Sequence, residues 1–188
     1  MKGEGKIKKK KNKKMLLKNS VVYLRAVEPE DIDLLYFWEN NTDIWKVSST
    51  IMPFSKFTLT NYVMEESQKD IFEARQLRLV IVETTSDKTV GLLDLFEFEP
   101  IDQRGSLGIM INENADRQKG FAKNALLLFE EYCKKILNLH QLYARTDTDN
   151  LAAKALFESC GYENCGCLKH WHRNQDGWKD QLEFQKIL

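Results

Sequence analysis

Apolar residues recur at three- and four-residue steps through Ala122, Ala125, Leu126, Phe129, Tyr132, Cys133 and Ile136. That spacing predicts a long amphipathic helix with one continuous buried stripe. Lys134 and Lys135 fall in its last turns, where cations suit the helix dipole. The apolar run 105–111 just upstream reads as a strand, and a polar stretch ending at Gly120 links it to the helix. Similar patterns predict strands at 21–26, 76–83, 90–98 and 141–146. Helices are predicted at 30–40, 57–67 and 151–160, the first two separated by the Pro53 loop. Segments 163–173 and 178–187 read as a hairpin across Asn174-Gln175-Asp176-Gly177. Strands precede, flank and follow the helices, so the expected class is a mixed α/β fold of the α+β type.

At 188 residues the chain suits one domain with a substantial core. No apolar run approaches the ~20 residues of a membrane span, and the basic N-terminus lacks the apolar segment of a secretory signal. Cys133, Cys160, Cys165 and Cys167 show no disulfide-framework spacing, which points to reduced thiols and a cytoplasmic setting. The net charge of zero hides an asymmetry. Residues 1–14 hold eight lysines and one acid, a formal +7, so the rest of the chain carries −7. The expected organisation is therefore a disordered basic tail at 1–14 and a single domain at 15–188, with Met15 an alternative start. No nucleic-acid partner is expected, a contact made by the tail being the minor alternative.

The run Arg117-Gln118-Lys119-Gly120-Phe121-Ala122 carries the clearest chemistry. Strand, glycine loop and helix N-terminus together make an anion site. The first helical amides lack intrahelical partners, and the dipole adds about half a positive charge. Arg117 and Lys119 add cationic side chains, and a pyrophosphate is the natural guest. The glycine alone also fits a plain helix start. The loop matches neither the dinucleotide-binding nor the P-loop pattern. Downstream, Asp147-Thr148-Asp149-Asn150 ends in a good helix cap, and Gly161 stops the helix that follows.

In this order and at this separation, the two blocks resemble the GNAT superfamily of acyl-CoA N-acyltransferases. Arg117, Gly120 and Ala122 occupy the fixed positions of its R/Q-x-x-G-x-G/A loop, and Asn150 through Gly161-Tyr162 matches its later block. Within the superfamily the chain is most similar to the branch of spermidine and ribosomal-protein N-terminal acetyltransferases. The run 24–31 looks like that branch's first strand and first helix entry. The resemblance implies a mostly antiparallel twisted sheet, splayed between its fourth and fifth strands, with acetyl-CoA lying in the splay. It implies coenzyme contacts from the backbone of Ile109, Met110 and Ile111, from Arg117, Gln118, Lys119, Gly120, Phe121 and Ala122, and from Asn150, Ala153 and Phe157. Related enzymes are often dimers or larger, so a homo-oligomer is an expectation, although no interface is readable in the sequence.

Acyl transfer from a thioester to an amine needs a neutral amine, a donor for the oxyanion, a departing thiolate and reactants held together. Two positions depart from the family. Phe157 stands where a Tyr often protonates the thiolate, and Ser106 aligns with a Glu of the spermidine enzymes. The acid is then water, Cys160 or Tyr143. Base candidates are Asp94, Glu97 and Glu99. Alternation puts Asp94 on the face opposite Glu97 and Glu99, and Glu97 is favoured. A solvated acidic edge is the plain alternative. Glu28 and Glu39 in the acid-rich first-helix region, with Trp38 as an apolar wall, are candidates to hold a cationic amine. An ordinary solvated helix face and a core tryptophan are the competing readings. Cys165, Cys167, His170 and His172 are spaced more closely than structural zinc ligands, so no metal is expected.

These features lead to an acetyl-CoA-dependent N-acetyltransferase acting on a small polyamine or diamine. A protein α-amine acceptor and a non-catalytic coenzyme A-binding module are the alternatives.

Overall fold

The computed structural model describes residues 16–45, 48, 50–174 and 177–188. The basic tail and the two central residues of the predicted hairpin turn lie outside the described residues. Seven strands form one sheet in the order β1-β2-β3-β4-β5-β7-β6. They are β1 (Val22–Ala26), β2 (Leu77–Glu83), β3 (Thr89–Glu99), β4 (Arg104–Ile111), β5 (Gln141–Asp147), β6 (Glu163–Asn174) and β7 (Gly177–Ile187). Every neighbouring pair is antiparallel except β4 and β5, which are parallel.

Helices cover both faces. The helices are α1 (Ile32–Glu39), α2 (Thr42–Trp45), α3 (Lys56–Glu66), α4 (Ile71–Ala74), α5 (Phe121–Lys135) and α6 (Leu151–Ser159). The short α2 and α4 and the 3-10 turn at Asn114–Asp116 have no counterpart among the elements expected from sequence, whereas the 3-10 turn at Pro29–Asp31 opens the helix expected at 30–40. Each is one turn or less, too short to show a period.

Alternation along the strands divides the apolar side chains between two cores. On the back face Leu93, Leu95, Leu107, Leu142 and Ala144 meet Ala125, Leu126 and Phe129 of α5 and Phe157 of α6. On the front face Val80, Val82 and Leu92 meet Leu35 and Trp38 of α1 and Leu59 and Val63 of α3. Trp38 is therefore a core residue, 4% exposed, and does not form an open wall for substrate. A 100°-wide apolar stripe explains the choice for α5, whose Leu126 and Phe129 are fully buried while Lys123 and Lys134 face water.

The entry to α1 is tied down by charge. Arg25 on β1 holds Asp31 through two bonds of 2.6 and 2.8 Å, and Asp31 also accepts the Glu28 amide at 2.9 Å. Burial works against ionisation of Asp31, but these bonds outweigh it and hold the carboxyl below its ordinary value. Glu28 itself is exposed at this turn.

Candidate active site

The parallel pairing of β4 with β5 covers only Arg104↔Gln141, Gly105↔Leu142 and Ser106↔Tyr143. Beyond Ser106, β4 continues to Ile111 and β5 to Asp147 with no further pairing between them among the described residues. The two strands part there and leave a gap. The direction of the β4 backbone follows from its neighbours. The Asn112 amide donates to Val90 on β3, whereas the Gln103 carbonyl accepts from Gln141 on the β5 side. By alternation, Leu107, Ile109 and Ile111 turn their amides and carbonyls into the gap. Met110 turns its own towards β3, paired with Leu92, so of the three expected backbone contacts it is the one directed away. Leu107 joins the gap-facing set, a residue the sequence reading passed over.

At the mouth of the gap stands the loop 117–120. Gln118 and Gly120 both have positive φ, 62° and 81°. Gly120 is the N-cap of α5, makes no side-chain cap bond, and is followed by a first turn with no acidic residue. The first amides of α5 are thus left to an external acceptor. Arg117 donates through Nε to the Ile111 carbonyl at 3.2 Å, which seats its guanidinium beside the β4 arm. Lys119 bonds Asp116 at 3.0 Å, and Asp116 also takes Lys88 at 2.7 Å. Those lysines hold the Asp116 carboxyl below its ordinary range, Lys88 contributing most. Asn124 supports the loop from behind, donating to the Gly120 carbonyl at 3.0 Å. Phe121 sends its ring into the back core, and Ala122 is half-buried behind it.

Across the gap, Asn150 caps α6 by accepting the Ala153 amide at 3.2 Å. Phe157, on the same helix, is buried 5.5 Å from the rings of Tyr162 and Phe184. Its side chain belongs to the back core. Cys160 is buried there too, past the end of α6, where its carbonyl accepts from Lys186 and burial pushes its thiol up. Lys186 pairs with Leu142, at the closed end of the β4–β5 junction. The structure does not bring Cys160 to the parting strands, and it is not retained as an acid.

The carboxylates gather on the front face. Arg78 of β2 bridges Glu39 of α1 at 2.6 Å and Asp94 of β3 at 2.6 Å, with its side chain 20% exposed. Burial pushes the Asp94 carboxyl up, with Arg78 opposing it. Glu39 and Asp94 are brought together, then, around a residue the sequence reading did not single out. Two carboxylates sharing one guanidinium leave the group formally acidic.

Strict alternation fails at Glu97. The register of β3 against β4 breaks between Phe96 and Glu99, and Glu97 has φ 48°. This bulge returns Phe98 to the back core and sends Glu97 to the Tyr143 hydroxyl, which donates to its carboxylate. Tyr143 pairs with Ser106, which pairs with Phe96, two positions from Asp94. Glu97 and Asp94 thus share the front face, contrary to the expectation from period-two alternation. A hollow of about 340 Å³ lies here, lined by Arg75, Glu97, Phe98, Glu99, Arg104 and Tyr143. Burial, followed by the Glu97 carboxylate, pushes the Tyr143 hydroxyl up to about 12.

On β6, where Cys165, Cys167, His170 and His172 lie, the register breaks after Asn164 and Leu168, and His170 has φ 47°. His172 contacts Asp147 at 2.9 Å, and Cys165 donates to the Glu183 carbonyl at 3.2 Å. Among the described residues no group of three His, Cys, Asp or Glu side chains could hold a metal ion. No helix among them is long and apolar enough to cross a membrane.

A sheet parted between parallel strands, with an uncapped glycine-led helix at its mouth, is the architecture of a coenzyme A-dependent acyltransferase. The family model described as acetyltransferase (GNAT) domain matches residues 22–163, and the chain belongs to that family. It is an acetyl-CoA-dependent N-acetyltransferase. Over 150 residues it is 30% identical to a spermidine N(1)-acetyltransferase of Vibrio cholerae, covering 80% of this chain and 83% of that one. The crystal structure of spermidine N-acetyltransferase from Vibrio cholerae in complex with CoA and spermine superposes with a TM-score of 0.79 at 26% identity. That match covers 90% of this chain and 96% of the other. A dodecameric structure of the Vibrio cholerae enzyme matches with a TM-score of 0.72 at 25% identity, covering 90% and 95%.

Proposed function

We propose that this enzyme transfers the acetyl group of acetyl-CoA to a primary amine of a small polyamine or diamine in the cytoplasm. The observation that carries the acceptor class is the acidic front face beside the parted strands, where Glu39 and Asp94 share Arg78 and Glu97 meets only the neutral Tyr143 hydroxyl. A formal charge of −7 outside the N-terminal tail adds long-range attraction for a polycation. The Vibrio cholerae relatives named for spermidine support the same choice.

In this reading the diphosphate of acetyl-CoA rests on the amides of the 117–122 loop, with Arg117 and Lys119 alongside. The pantetheine arm borrows the gap-facing groups of Ile109 and Ile111, and Asn150 borders it from the start of α6. A gap-facing amide of β4 then takes the thioester oxygen, whose growing negative charge it favours over the ground-state carbonyl. A homo-oligomer is part of the proposal, and the exposed Phe37, Phe57 and Met64 of α1 and α3 supply apolar surface for it.

The test is product mass spectrometry of the chain with acetyl-CoA and a panel of spermidine, spermine, short diamines, aminoglycosides and ribosomal N-terminal peptides. Acetylated polyamine is the expected product. Acetylation of peptides alone would replace the acceptor class, and acetyl-CoA binding without any product would point to a binding module.

Asn150→Ala separates two roles of one side chain. Loss of the cap is expected to cost about 1 kcal/mol of stability. Affinity for acetyl-CoA is expected to fall as well, measured by titration calorimetry beside a urea melt. A stability loss with unchanged affinity would leave Asn150 as a cap alone.

A further inference from the structure

The geometry points to Glu97 as the proton acceptor for the attacking amine, with Tyr143 as the positioning residue that holds its carboxylate at the point where β4 and β5 part. The inference rests on the acetyl-transfer reading and names the group that handles its proton.

Three observations place the pair. Ser106↔Tyr143 is the last residue pair joining the two strands, so Tyr143 stands where the gap begins. The bulge with φ 48° at Glu97 takes that side chain out of the alternation and onto the Tyr143 hydroxyl. A bulge that re-aims one side chain beside a site is a recurrent device. The hollow of about 340 Å³ then gives Glu97 open space for an amine or an intervening water.

The other front-face carboxylates are engaged differently. Glu39 and Asp94 are held by Arg78, and Glu99 lies 3.6 Å from Arg75. The partner of Glu97 is a neutral hydroxyl, which orients the carboxylate without neutralising it. Its neighbours Arg75 and Arg104 line the same hollow.

The step balances without a further reagent. The ammonium gives one proton to the Glu97 carboxylate, directly or through water, and its freed lone pair attacks the thioester carbon. A C–N bond forms and the carbonyl becomes an oxyanion. Collapse breaks the C–S bond, and the thiolate leaves with the second nitrogen proton. Glu97 releases its proton to solvent, so acetyl-CoA and an ammonium give an acetamide, coenzyme A thiol and one proton.

The test compares wild type, Glu97→Gln and Tyr143→Phe over pH 6 to 10 (about the span in which an amine of pKa ~10.4 gains its lone pair). Acetyl-CoA binding is measured in parallel. Glu97→Gln should lower kcat about 100-fold at pH 7, within the range for a lost general base. Acetyl-CoA affinity should stay unchanged, and the deficit should narrow as rising pH deprotonates the amine itself. Tyr143→Phe removes a donor to the carboxylate, so the acidic limb of kcat/KM should move to higher pH while kcat falls less. Glu97→Asp, which keeps a carboxylate, should retain the acidic limb. A Glu97→Gln enzyme with wild-type kcat and limb would overturn the assignment, as would a deficit that stays constant with pH. Each rate is taken on whichever amine of the panel wild type acetylates. Turnover of a non-polyamine alone would sink the acceptor class and leave the proton assignment to be judged on that amine.

Discussion

Gly120→Asp is expected to weaken acetyl-CoA binding about 100-fold while leaving the fold nearly as stable. The new carboxylate would stand at the uncapped N-terminus of α5, among the amides a diphosphate needs. Like-charge juxtaposition at an interface costs several kcal/mol, and 100-fold corresponds to about 2.7 kcal/mol. Two effects on folding oppose each other. A side chain at φ 81° carries a left-handed penalty of about 1–2 kcal/mol. An acid near the helix start recovers about 0.3–1 kcal/mol from the dipole. Space is not the obstacle, since a Cβ at Gly120 would have only the Asn124 amide nitrogen nearby, at 3.6 Å. Gly120→Ala shares the backbone strain without the charge and should lose far less affinity. Calorimetric titration of both variants checks this, and equal affinity of Gly120→Asp and wild type would remove the loop from the coenzyme site.

The second large effect is expected at Arg78. Arg78→Met keeps an unbranched stem but removes the guanidinium that lies over the Tyr62 ring and leaves Glu39 and Asp94 facing each other without a cation. Removing one partner from a buried ion group typically costs 3–5 kcal/mol, and about 3 kcal/mol is expected at pH 7 because the side chain keeps some contact with water. The pH dependence identifies the cause. Asp94 already lies above its ordinary value through burial, and loss of Arg78 removes the group opposing that. A folded-state pKa above the unfolded value of about 3.9 means the folded protein binds more protons between those two values. Stability in the variant should therefore fall as pH rises through that window and recover on acidification towards about pH 4.5. Urea midpoints at both pH values test it; an equal loss at each would assign the effect to packing.

These two sites were unequally legible in the sequence. The loop and α5 could be read because strand, glycine and apolar stripe are consecutive, and each obeys a local rule. The strands were placed for the same reason, with β2 and β4 found to within a residue of their ends. Arg78 could not be read, because its partners come from α1 and β3, far away in the chain. Glu97 was singled out as a base, but its face was misjudged. A bulge depends on a positive φ at a glutamate, which no local preference announces. Phe157 was placed correctly on its helix. Its burial against Phe184 required knowing that β7 runs beside β5.

The brief contact between β4 and β5 has one more consequence. Parted strands expose two lengths of backbone with the donors and acceptors of sheet edges, the feature through which proteins stick to one another. Without coenzyme, each arm could accept a strand from a stray chain as readily as a pantetheine. In the proposed complex the co-substrate serves as a guard against aggregation, covering both arms before another polypeptide pairs with them. The cellular supply of acetyl-CoA would then govern how long the enzyme survives as well as how fast it works.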